Sequence, residues 1–248
     1  MSHPAAPAPA STIPLPPCPP HFHPDEWAAR QELAACYRVF AMLGWVEMIY
    51  NHITLRVPDS VSGDDKHFLI NPFGLHYTEV TASNLVKINL KGEVVDGSTQ
   101  RVNPAGFVVH SAIHAALDQA HCVMHTHTTS GLAVACYEGG LQPDNFYSAQ
   151  LHGMVAYHDF EGITIHADEA PRLLQSIGEK QAIILRNHGL LTTGPSVAEA
   201  FLGMYILQRA CEVQIQAMSG GQPLVQIPDS ILSSIREQAK QVTKGMGG

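Results

Sequence analysis

Cys122-Val-Met-His-Thr-His-Thr-Thr129 sets two imidazoles, His125 and His127, two residues apart at the end of an apolar run. In an extended chain, residues i and i+2 project on one face. A single β-strand therefore aims both rings at one point. Two such nitrogens are half of a metal site, and neutral imidazole suits zinc, iron, nickel or copper. Fifteen histidines in 248 residues make the pair alone a weak signal, so its weight depends on what else the chain brings to that strand end.

A second apolar run, Ala182-Ile-Ile-Leu-Arg186, reads as a strand covered on both sides. It ends in Asn187-His188-Gly189-Leu-Leu-Thr-Thr-Gly194, which sets His188 at a strand mouth beside a glycine. Together His125, His127 and His188 supply three imidazoles on two strand ends, with coordination positions left open as in a catalytic site. Between the runs, residues 107–117 keep a helical period that puts His110 and His114 on one face at i and i+4. That pair is suited to sharing a metal, lining a cleft or packing as satisfied core histidines.

Nine of the seventeen prolines fall in residues 1–24, which predicts a flexible or polyproline-like tail carrying His21 and His23 as solvated side chains. Residues 25–248 read as one domain. Pro24-Asp25-Glu26 opens a helix that Gly44 ends. Ile53–Val57 and Phe68–Ile70 read as strands, Asn71-Pro-Phe-Gly74 as a turn, and residues 86–95 as a hairpin about Lys91-Gly92. A helix follows through Gly131–Cys136. Ser196 and Glu199 form a capping box for another that runs to about Met218, and Pro228-Asp229 starts the last. Strands mixed with helices and a hairpin predict an α/β domain with a mixed or antiparallel sheet.

A net charge of −8 argues against a nucleic acid or an anionic membrane as partner. No run is long enough to span a bilayer, no signal peptide is evident, and five scattered cysteines suit a reducing compartment. A cytoplasmic location is expected. Hydrophobic residues at 45% and charged ones at 15% fit a compact protein with a low-charge surface. There is no Walker loop, G-x-G-x-x-G, G-x-S-x-G or H-E-x-x-H, which removes the common nucleotide, hydrolase and metalloprotease signatures.

Tyr-Asn-His-Ile-Thr-Leu-Arg (50–56), Asn-Pro-Phe-Gly-Leu (71–75), His110, His-Thr-His (125–127) and Arg-Asn-His-Gly-Leu-Leu-Thr (186–192) occur in an order that resembles the class II aldolase/adducin family. The resemblance covers roughly four-fifths of the chain and is carried by the ordered set rather than by any one member. It implies a three-layer α/β/α sandwich around a largely antiparallel central sheet, assembled as a homotetramer with active sites at subunit interfaces. It further implies a divalent metal, usually zinc, on His125, His127 and His188, with Fe2+, Mn2+, Co2+ or Ni2+ as other candidates. In aldolase members such a metal holds an enediolate.

Two departures qualify the resemblance. Sugar-phosphate aldolases of this family carry Ser-Ser-Glu just ahead of the histidine matched by His110, and here those positions are Pro104, Ala105 and Gly106. Glycine has no group with which to shuttle a proton. The phosphate pocket also loses its donors, with Asn51-His52, Phe73-Gly74 and Pro104-Ala105 at its three parts, so a phosphorylated sugar is a poor fit. The remaining candidates for proton transfer are His52, His110 and His114. Tyr147 lies near the place of a catalytic tyrosine offered to a neighbouring subunit, or packs at an interface. Arg186 is placed to bind a substrate carboxylate or to pair with an acid in the fold. Asn51, Phe73, Gly74, His114 and Arg186 form the expected substrate-binding set.

The function expected is a metal-dependent lyase, cleaving by retro-aldol reaction or decarboxylation, on a small non-phosphorylated carbonyl or carboxylate substrate. An Fe(II)-dependent oxygenase of an aromatic 2-oxo acid, with Phe73 suiting the ring, is the enzymatic alternative. A non-catalytic adducin-like interaction module is the other.

Overall fold

The computed structural model describes residues 16–162 and 167–243. Seven strands form one sheet: β1 (His52–Arg56), β2 (His67–Ile70), β3 (Val86–Asn89), β4 (Cys122–Thr126), β5 (Val155–His158), β6 (Ala182–Leu185) and β7 (Gly189–Gly194). Their order is β3-β2-β1-β4-β7-β6-β5, and every pairing is antiparallel except β5 with β6. The helices are α1 (Pro24–Met42), α2 (Asp59–Ser62), α3 (Pro104–Ala116), α4 (Thr129–Ala135), α5 (Phe146–Gln150), α6 (Ala170–Ile177), α7 (Val197–Ser219) and α8 (Asp229–Thr243). No helix of the described residues is long and apolar enough to cross a membrane.

Alternation along the strands sorts side chains between two layers. Ile53 and Leu55 of β1, Cys122 and Met124 of β4, and Ala182 and Ile184 of β6 join α1, α4 and α7 in one core. Val123, Ile183, Leu185 and Leu191 point the other way, into α3 and α6. All four residues of β6 are buried for this reason, as its unbroken apolar run predicts. The result is the expected α/β/α sandwich on a mostly antiparallel sheet.

Caps hold the helices where the sequence marks them. His23 Nδ1 accepts from Asp25 N at the start of α1, and Gly44 takes a positive φ just past its end. Ser196 Oγ accepts from Glu199 N at the start of α7. The described end of the expected tail does not hang free: Pro16 O accepts from Trp27 Nε1 and Gln31 Nε2, and Phe22 stacks on Trp27. Proline lacks an N–H but keeps a strong acceptor carbonyl, and α1 supplies the donors. Residues 1–15 and the glycine-rich end at 244–248 lie outside the described residues.

The hairpin at Lys91-Gly92 closes with a single bridge, Ile88 to Val94, and its second arm is not a strand. The Asp96 carboxylate takes the Lys87 N–H that a ladder would use, and it also accepts from the buried Arg30 guanidinium. Arg30 also meets Glu26 at 2.8 Å, and Glu26 meets Lys87 at 2.8 Å. Burial pushes the Glu26 carboxyl up, but the hydrogen bonds from Lys87 and Arg30 outweigh it and hold the group below its ordinary range.

Candidate metal centre

The sheet register brings the site together. β1 and β4 pair His52 directly opposite His125, and His127 follows just beyond the end of β4. β7 enters as the other neighbour of β4, with Leu191 opposite His125. His188 sits in the tight turn between β6 and β7, where Asn187 adopts φ 56°, a region asparagine tolerates better than most residues. Gly189 follows because a β-carbon there would collide with the Thr126 carbonyl oxygen. That close approach lets the turn deliver His188 to the end of β4.

Three imidazoles converge, with ring centroids 4.6 Å apart for His125–His127, 4.8 Å for His125–His188 and 4.7 Å for His127–His188. One nitrogen from each lies within 4.8 Å of the others. His125 Nδ1 is 2.9 Å from the Leu190 carbonyl, so it carries the proton and leaves Nε2 as a lone pair. That lone pair faces His127 Nε2 at 2.6 Å. Asn51 holds the second ligand by accepting from His127 N through Oδ1 (2.7 Å) while its Nδ2 donates to Trp45 O (3.0 Å). Tyr50 stacks on the His127 ring at 5.8 Å and 13°.

Electrostatics keep these rings in the ligating form. Burial, then the neighbouring imidazoles His188, His127, His52 and His110, holds His125 well below its ordinary value. Burial, then His188 and His52, lowers His127 to about 4. His188 is lowered chiefly by burial, against a raising field from Glu169. Neutral imidazole is what a divalent metal requires. Three converging lone-pair donors, two of them 2.6 Å apart, fit a cation better than they fit one another.

The triad opens on a cavity of about 340 Å³ lined by Tyr50, His52, Gly106, Leu132, Phe160 and Leu185 as well as the three ligands. His52 is 4% exposed, and burial lowers its pKa to about 4, against the Tyr50 and Gly106 carbonyls, with His188 adding to the depression. A β-carbon at Gly106 would lie 2.6 Å from His52 Nε2, so this ring fills the space that any side chain at 106 would need.

The other sequence candidates are dispersed. His110 and His114 are wholly buried behind His52, both bonded to Thr54. Asn51 spends both ends of its amide inside the chain. Phe73 is 42% exposed in the turn after β2 and, like Gly74, does not line the cavity. Arg186 turns away: its guanidinium donates to the Tyr137 and Glu138 carbonyls and lies 4.4 Å over the Tyr157 ring, with no acid as partner among the described residues. Tyr147, on α5, packs against α7 with the Arg209 guanidinium 5.8 Å from its ring. Thr54 and Phe160 are the site residues that sequence reasoning missed. The signal for Thr54 was the period-2 alternation His52-Ile-Thr54, while nothing local marks Phe160.

Residues 31–215 match the family described as the Class II Aldolase and Adducin N-terminal domain. A solved aldolase II superfamily protein from Pseudomonas syringae is 46% identical, with a TM-score of 0.83 over 88% of this chain and 87% of that one. The L-fuculose 1-phosphate aldolase of Glaciozyma antarctica PI12 is 32% identical, with a TM-score of 0.75 over 89% and 86%. Alpha-adducin of Rattus norvegicus is 48% identical over 82% of this chain but only 27% of its own length.

Proposed function

The chain belongs to the class II aldolase and adducin N-terminal domain family, and from that premise we propose a metal-dependent lyase acting on a small, non-phosphorylated substrate with a carbonyl beside the bond that breaks. The observation that carries this reading is the convergence of three neutral imidazoles on one largely apolar cavity. Zinc on His125, His127 and His188 would supply a Lewis acid for the negative charge that develops on the carbonyl oxygen.

The chain's own residues do the rest. Leu190 O and Asn51 fix the first two ligands, so the site is ordered before substrate arrives. Tyr50, Leu132, Phe160 and Leu185 give the cavity largely apolar walls. Among the described residues that line the cavity there is no lysine or arginine, which favours an uncharged substrate over the sugar phosphate that one relative's name carries. His52 is neutral at neutral pH and stands in the cavity wall beside the ligands. The ferrous oxygenase reading shares the triad, but Phe73, its aromatic contact, lies away from the cavity. The adducin-like reading needs no metal.

Elemental analysis of the purified full-length protein tests the proposal. One zinc per chain that is lost in His125→Ala supports it. No stoichiometric zinc, iron, manganese, cobalt or nickel after reconstitution sinks it in favour of an interaction module. Oxygen uptake that appears only with ferrous iron and an aromatic 2-oxo acid would select the oxygenase.

A further inference from the structure

Two large aromatic rings stay half exposed at the cavity although the chain could have buried them. Tyr50 is 57% exposed and Phe160 51%, and both line the cavity. Each stands against a different ligand of the triad. Tyr50 stacks on the His127 ring, and the Phe160 ring lies 6.2 Å from that of His188 at 69°. His127 and His188 are 4.7 Å apart, so the two aromatics border the triad at two of its three corners.

Both rings are fixed through their neighbours in the chain. Tyr50 N donates to Glu47 O at 2.9 Å, the Ile49 carbonyl accepts from Asn103 Nδ2 at 3.2 Å, and the Asn51 amide is spent at both ends inside the fold. Phe160 follows β5, where His158 O accepts from Arg186 N at 2.8 Å. It precedes Glu161, whose carboxylate accepts from Arg172 Nε at 2.8 Å. The rings are therefore set at the cavity before any ligand arrives.

The rest of the wall has the same character. Val109, Leu132 and Leu185 are aliphatic, and no lysine, arginine, aspartate or glutamate lines the cavity among the described residues. Arg186, next but one to a ligand in the chain, is spent on two carbonyls and the Tyr157 ring. A substrate end bearing a phosphate, a carboxylate or several hydroxyls would lose water against carbon here, which costs free energy that an aromatic ring does not lose. A cavity of about 340 Å³ has room for such a ring beside a short carbonyl-bearing chain.

We propose that Tyr50 and Phe160 are specificity-determining residues that select a carbonyl substrate whose non-reacting end is an uncharged aromatic ring. This deepens the lyase reading and rests on the cavity being its active site.

Two hydroxy-ketones that differ only at that end test it: 2-hydroxyacetophenone ends in a phenyl ring and hydroxyacetone in a methyl group. Their dissociation constants are measured by ligand-observed NMR on the full-length protein, metal-free and with added zinc. One methylene in an apolar pocket is worth about tenfold or more, so 2-hydroxyacetophenone should bind at least about tenfold more tightly in either form. Tyr50→Ala and Phe160→Ala should each weaken it by about threefold or more and leave hydroxyacetone unchanged, while Tyr50→Phe keeps the preference. Equal affinities for the two ketones, no binding of 2-hydroxyacetophenone, or alanine variants that lose neither ketone or both alike overturn the proposal. Zinc content is assayed separately. A protein that takes no zinc yet prefers the aromatic ketone refutes the metal reading alone, and one that takes zinc without that preference refutes the selection alone.

Discussion

The buried histidines make this fold acid-labile, and the size of the effect follows from two of them. His52 and His114 are 4% and 0% exposed, with pKa values lowered to about 4 and about 3, mainly by burial. In the unfolded chain each returns to about 6.5. Below that value the unfolded state binds protons that the folded state refuses, so stability is complete above about pH 6.5 and falls as the pH drops toward 4. Between pH 7 and pH 5 each ring costs about 2 kcal/mol by linkage, or about 4 kcal/mol for the pair. His110 and His125 are lowered in the same direction and add to the loss. A domain stable by about 5–15 kcal/mol feels such a change strongly. With a urea slope near 3 kcal/mol/M, the midpoint should fall by more than about 1 M between pH 7 and pH 5. Equilibrium urea unfolding at the two values, followed by circular dichroism, measures it. A midpoint that stays put, or rises toward pH 5, would mean that these rings do not enter the fold uncharged.

Two further perturbations separate packing from charge. Gly106→Ala should destabilise by about 1–3 kcal/mol through overpacking against the His52 ring, and combining it with His52→Ala should recover part of that loss; strict additivity in the double-mutant cycle would show that the two positions do not meet. Arg30→Ala removes the buried guanidinium that Glu26 and Asp96 share, leaving Glu26 only Lys87 and Asp96 only backbone N–H groups, and should cost about 3–5 kcal/mol in urea unfolding. Lys87→Ala should cost much less, since Arg30 still holds Glu26, and equal losses would contradict the ranking.

Much of the architecture was legible because local signals and tertiary burial agree. The apolar run 182–185, the cap at Ser196 and the period of α1 each follow from rules that act within a few residues. β5, β7, α5 and α6 were not legible. β7 is a glycine-bounded six-residue strand entered through a three-residue turn, and β5 is four residues long, too short for periodicity to separate from loop. Their identity comes from neighbours in the sheet.

The sequence by itself determined the α/β class, the three histidines and the family resemblance, because residue type and spacing suffice for those, and the layer architecture followed as what that resemblance implies. It also determined that position 106 carries no side chain. Only the tertiary structure decided what that means: β1 pairs with β4 so that His52 faces His125 and fills the room beside Gly106. It likewise decided that His114 is spent on Ala120 and Thr54, that Arg186 is spent on two carbonyls, and that Phe73 stands outside the cavity. Ligand identity is a property of residues, but whether a nitrogen is bare or bonded depends on which backbone and hydroxyl groups a distant strand or helix brings within about 3 Å of it.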